Sequence, residues 1–124
     1  MDFHHVGIAC KSIKDTLEYV QKHFNVKSIS EEIFDEKQNA TLCMIEMQDG
    51  YKIELITGEV VKGYLKRRQN LYHTCYEVDS IEETLEELKG DCVALSAPKE
   101  AVLFGGKRVV FLMSPIGLIE LLER

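Results

Sequence analysis

The chain contains no run approaching the roughly 20 apolar residues that a bilayer-crossing helix needs. Its opening, MDFHHVGIAC, lacks a basic stretch followed by a long apolar run, so it does not read as a secretory signal. A soluble, cytoplasmic protein is expected. The four cysteines, Cys10, Cys43, Cys75 and Cys92, form no C-x-x-C pair. That argues against a zinc knuckle or a thioredoxin-type motif, and reduced, buried thiols are expected instead. Basic residues are the minority, 15 against 21 acidic, giving a net charge of −6. Such a chain is a poor partner for nucleic acid or an anionic membrane.

What is present is repetition. HVGIACKSIKDTLEYV (5–20) aligns without a gap on HTCYEVDSIEETLEEL (73–88), an offset of 73 − 5 = 68. Six of the 16 positions are identical: His5/His73, Ser12/Ser80, Ile13/Ile81, Thr16/Thr84, Leu17/Leu85 and Glu18/Glu86. The ends of the halves match as well, KIELI (52–56) on LIELL (118–122), which aligns Glu54 with Glu120. A self-similar chain is read by its repeat before anything else.

Each half reads as β-α-β-β-β. A strand (about 3–9, and 71–78) leads into a helix with Ser12 or Ser80 as N-cap and Asp15 or Glu83 three residues later. Ile13, Leu17 and Val20, then Ile81, Leu85 and Leu88, give each helix an apolar stripe. Strands are expected at 27–34, 40–48 and 51–57, and again at 92–96, 101–104, 108–113 and 117–123. Asp-Gly in QDGY (48–51) marks a hairpin, and MSPIG (113–117) plays the same part later. The expectation is one α+β domain over 1–124: module one about 1–57, a linker about 58–70 with a short helix near 60–68, and module two about 71–124. The linker carries Lys62, Lys66, Arg67 and Arg68, either a solvated face or an anion-attracting rim.

Two halves of about 60 residues each are too small to stand alone, and packed as a pseudo-two-fold pair they share one concave sheet surface. His5, His73, Glu54 and Glu120 then meet around one point. A buried carboxylate such as Glu120, set among Leu118, Ile119, Leu121 and Leu122, is costly unless a charge compensates it. A divalent cation does so, and two nitrogen and two oxygen donors suit zinc, nickel, cobalt, manganese or iron. By strand alternation Leu118 and Leu122 share the face of Glu120, while Ile119 and Leu121 pack against the helices. Lys107 and Arg108, after Gly105-Gly106, are candidate substrate anchors for a carboxylate or phosphate.

These residues resemble those of the vicinal oxygen chelate, or glyoxalase-like, superfamily, along nearly the whole chain. HHVGIAC with its capped helix resembles the family's opening strand and helix, YHTCYEVDSIEETLEEL its second module, and GGKRVVFLMSPIGLIELLE its closing strands. The resemblance implies paired β-α-β-β-β modules around a metal-binding cup, with ligands His5, Glu54, His73 and Glu120. It also implies a homodimer. GYLKRRQNLYHTCYEV is similar to the matching stretch of methylmalonyl-CoA epimerases, with Tyr64, Leu65, Arg67 and Arg68 filling the pattern. Glyoxalase I proteins share the four ligands, but Ala9 and Gly58 stand where bacterial ones commonly carry an Arg and an Asn for glutathione. The activity implied is a metal-dependent isomerase or epimerase that takes a proton next to a carbonyl of a small-molecule acyl-thioester. Glu120 is then the base, and Glu54 the group on the opposite face. The alternatives are a lactoylglutathione lyase of the glyoxalase I type, or a non-catalytic, ligand-sequestering protein of the resistance type.

Overall fold

The computed structural model describes all residues, Met1–Arg124. The chain divides into two compact units, one of residues 5–72 and one of residues 1–4 with 73–124.

In the 5–72 unit, β1 (Asp2–Ala9, from His5 onward) runs into α1 (Ile13–His23). Ser12 is the N-cap; its hydroxyl accepts the Asp15 N–H at 3.1 Å and its carbonyl accepts the Thr16 hydroxyl at 2.8 Å. Then come β2 (Val26–Ile29), β3 (Ile33–Asp35), β4 (Ala40–Met47) and β5 (Lys52–Gly58). Strand order is β2-β4-β5-β1, with β3 also on β4. The β4–β5 hairpin closes through Gly50, whose φ of 95° only glycine adopts without strain. Helix residues Ile13, Leu17 and Val20 pack on Cys43, Ile45, Met47 and Leu55, so the expected stripe meets one face of the sheet.

The stretch expected as one strand at 27–34 is instead two strands on the same neighbour. Ile29 pairs with Ile45 and Ile33 with Leu42, so one side carries an extra residue. Ser30 sits at the break, and its hydroxyl, not a carbonyl, accepts the Met44 N–H at 2.8 Å. This is a bulge in which a side chain replaces a ladder bond. The linker helix is shorter than 60–68: a 3-10 turn over Glu59–Val61 leads into α2 (Lys62–Lys66).

The second unit repeats the plan. β6 (Leu71–Val78, from His73 onward) leads to α3 (Ile81–Glu87), then β7 (Val93–Ala94), β8 (Lys99–Glu100), β9 (Arg108–Ser114) and β10 (Gly117–Glu123). Ser80 caps α3, accepting the Glu83 N–H at 3.2 Å and the Thr84 hydroxyl at 2.8 Å. Strand order is β6-β10-β9-β7, with β8 on β9. Ile119 and Leu121 pack with Ile81, Leu85 and Leu88, on the helix side as alternation requires. Leu122 packs on the other face with Cys75, Ala101 and Val109.

Two expectations fail in this unit. The strand at 92–96 shrinks to Val93–Ala94, with one further bond to β9 from the Leu95 N–H to the Phe111 carbonyl at 2.9 Å. The strand at 101–104 is a 3-10 turn over Val102–Phe104. There the Ala101 carbonyl accepts N–H groups of Phe104 and Gly106 and the chain reverses through Gly105 and Gly106, at φ 66° and 88°. All four cysteines are free thiols, and Cys10, Cys43 and Cys75 are buried. Burial pushes the Cys10 and Cys43 thiols up, which keeps them protonated and inert. No helix is long and apolar enough to cross a membrane.

Candidate metal centre

In the 5–72 unit, β1 and β5 run parallel with Gly7 across from Glu54. His5 and Gly7 are two apart and share a face, so His5 and Glu54 converge. His5 Nε2 stands 3.5 Å from Glu54 Oε1, with the side chains 0% and 5% exposed.

In the second unit, β6 and β10 run parallel with Cys75 across from Glu120. Cys75 lies two residues after His73, just as Gly7 lies two after His5. The same strand register therefore produces the same pairing. His73 Nε2 stands 3.3 Å from Glu120 Oε1, with the side chains 1% and 2% exposed. The ring of Phe111, opposite Glu120 on β9, meets His73 edge-on at 5.2 Å. The small residues Gly7 and Cys75 opposite the two glutamates leave the shared face to the His and Glu side chains.

Each unit thus buries one imidazole and one carboxylate side by side. Ionised or proton-sharing groups in such a place need an opposite charge or a ligand. Imidazole nitrogen with carboxylate oxygen is a donor set that suits a divalent cation of the zinc-to-manganese range. The chain's own residues therefore fit a metal in each unit's half of the set.

Lys107 and Arg108 stand side by side at the start of β9, with different surroundings. Lys107 is exposed in the turn before β9, and its N–H donates to the Phe104 carbonyl. Arg108 opens β9 and is fully engaged. Its two terminal nitrogens donate to both oxygens of Glu82 at 2.8 Å, and its guanidinium reaches Glu123 at 3.0 and 2.8 Å. Glu123 in turn accepts the Ile81 N–H at the start of α3. Arg108 is therefore a clamp tying β9, β10 and α3 together, with four of its five N–H donors held by Glu82 and Glu123. Glu82 is held down to about 2 and Glu123 below the usual carboxylate range, both chiefly by hydrogen bonds from Arg108. Sequence reading missed this pairing, though the signal was there. Counting back from the Pro115–Ile116 turn sets Leu122 opposite Val109, hence Glu123 opposite Arg108.

The family model for the Glyoxalase/Bleomycin resistance protein/Dioxygenase superfamily matches residues 4–116. The chain belongs to that superfamily. Its fold is similar to that of methylmalonyl-CoA epimerase from Mycobacterium tuberculosis, with a TM-score of 0.81 at 18% identity over 98% of this chain and 87% of that one. A hypothetical protein from Bacillus halodurans C-125 is similar at TM-score 0.76 and 27% identity, covering 99% of this chain and 94% of its own. A variant of Streptomyces coelicolor methylmalonyl-CoA epimerase, in complex with 2-nitronate-propionyl-CoA, is similar at TM-score 0.75 and 22% identity, over 99% and 96%. No curated protein matches by sequence. At these identities the epimerase structures speak only for the glyoxalase-type fold of this superfamily member.

Proposed function

We propose that His5, Glu54, His73 and Glu120 together ligate one divalent metal ion, and that the protein is a metal-dependent isomerase or epimerase. Its substrate on this reading is an acyl-thioester such as methylmalonyl-CoA. The observation that carries the proposal is the duplicated His–Glu pair, buried in both units at the same strand register.

When bound, the metal supplies Lewis-acid stabilisation of the negative charge that develops on a carbonyl oxygen. The protein's own groups do the rest. A carboxylate oxygen of Glu120 takes the proton from the carbon next to the carbonyl, and Glu54 serves the opposite face, which inversion at that carbon requires. His5 and His73 hold the two carboxylates in place. Burial of all four side chains keeps bulk water from quenching the carbanionic species.

Two features support an acyl-thioester over glutathione. Ala9 is fully buried. Gly58 sits at φ 136°, where an added Cβ would lie 2.8 Å from the Asn39 carbonyl oxygen. Gly58 has no room for the Asn that bacterial glyoxalase I proteins commonly carry there, and the buried Ala9 offers no guanidinium where they carry an Arg. The proposal includes a homodimer, which sedimentation checks. The deciding experiment is exchange of the α-proton of methylmalonyl-CoA into deuterium oxide by metal-loaded protein, run beside isomerisation of methylglyoxal with glutathione. Exchange with the first substrate alone supports the epimerase. Activity only on the second means a glyoxalase I-type lyase, and ligand binding without either reaction means a sequestering protein.

A further inference from the structure

A cavity of about 1100 Å³ lies wholly in the 5–72 unit, beside the ends of β1 and β5 and against α2. Its walls carry four cations, Lys11, Lys62, Lys66 and Arg68, and one carboxylate, Glu59. Lys62 already pairs with Glu59 at 2.5 Å, which leaves a surplus of three positive charges in a chain of net charge −6. None of Lys11, Lys66 and Arg68 makes a salt bridge. Concave walls of one sign concentrate an ion of the other.

A second, independent observation falls at the same place. The chain has only two non-glycine residues in the left-handed region, Asn39 at φ 51° and Arg68 at φ 58°, and both line this cavity. Asparagine tolerates that conformation; arginine does so at a cost. Gly58, also at the cavity, permits the close approach of β5 to Asn39. Backbone held in unfavourable conformations clusters where a ligand is received. The aromatic ring of Phe34 completes the wall and is 55% exposed, open to a flat partner.

We infer that this cavity binds a phosphorylated nucleoside, its phosphates on Lys11, Lys66 and Arg68 and its base against Phe34. Lysine and arginine neutralise phosphate, and a flat base stacks on an aromatic ring without regard to sequence. A free nucleotide and the nucleotide end of a CoA ester share this chemistry. The inference stands apart from the metal-site reading, since none of its residues is His5, Glu54, His73 or Glu120.

The test is isothermal titration of the full chain with ADP, CoA and inorganic pyrophosphate. ADP and CoA are expected to bind once per chain, to compete, and to weaken as salt rises from about 20 to about 200 mM. The Lys66→Ala, Arg68→Gly double variant should bind both about tenfold more weakly. Glycine adopts the φ of Arg68 freely, so this variant should melt no lower than wild type. Lys11→Ala serves as a second charge-removing variant on an unstrained backbone. Phe34→Ala should weaken ADP and CoA while leaving pyrophosphate unchanged. CoA much tighter than ADP identifies the ester as ligand, and equal affinities identify a free nucleotide. Absence of binding by all three probes, or unchanged binding in both charge variants, overturns the site. Unchanged ADP binding by Phe34→Ala overturns its nucleoside half.

Discussion

His73 Nε2 stands 3.3 Å from Glu120 Oε1 across neighbouring parallel strands, with both side chains almost fully removed from solvent. A partner removed from such a pair leaves the other buried without its neighbour, which is strongly destabilising. A metal that binds only the folded protein adds stability by mass action, about 2.7 kcal/mol at a hundredfold excess over Kd. Saturating zinc, cobalt or nickel should therefore raise the melting temperature, and a chelator should lower it again. Glu120→Gln should lose that shift. Differential scanning fluorimetry with and without chelator reads both.

The Arg108 clamp makes a pH prediction. Glu82 has a folded pKa of about 2 against an ordinary value of 4.5, so the folded state favours its charged form. Its contribution is present above about pH 4.5 and is lost as pH falls through about 2, with Glu123 acting in the same direction. Wild type and Glu82→Gln should therefore differ in melting temperature at neutral pH and converge towards pH 2. Arg108→Lys, which cannot grip both carboxylates as a planar fork, should lower the melting temperature without altering metal affinity.

The N-caps predict equal and independent losses. Ser12 and Ser80 make the same two hydrogen bonds at the starts of α1 and α3. Ser12→Ala and Ser80→Ala should each cost about 1 kcal/mol, and the double variant about 2. Urea unfolding measures this.

Side-chain facing on β10 predicts an asymmetry. Leu121 is 0% exposed among the helix-side apolar residues, so Leu121→Ala should cost about 3 kcal/mol. Leu118, half-buried near the strand's start, should cost clearly less. Denaturant midpoints at constant slope separate the two.

Much of this was legible in the sequence because the repeat duplicated each signal. The identities at positions 12, 13 and 16 are the cap, the first buried helix residue and the second cap bond, and each performs the same task at 80, 81 and 84. Alignment paired His5 with His73 and Glu54 with Glu120, and the strand register of each half then sets His5 beside Glu54 and His73 beside Glu120. The edge strands were not legible. β2–β3 is interrupted at Ser30, where one hydroxyl outweighs β-propensity, and β7 and β8 are only two residues each, with Pro98 in the gap between them. Arg108 was assigned by its charge alone, and only the register of the hairpin reveals that Glu123 stands opposite. The basic cavity draws on Lys11, Phe34 and Asn39 as well as the linker, residues that only the fold brings to one place.

Metal stoichiometry decides whether the two His–Glu pairs serve one ion. Equilibrium dialysis with elemental analysis should find one divalent ion per chain in wild type. His5→Ala and His73→Ala, altered in different halves, should each lose it. Two ions per chain, or one ion kept at full affinity when either histidine is removed, would mean that the four side chains do not share one metal.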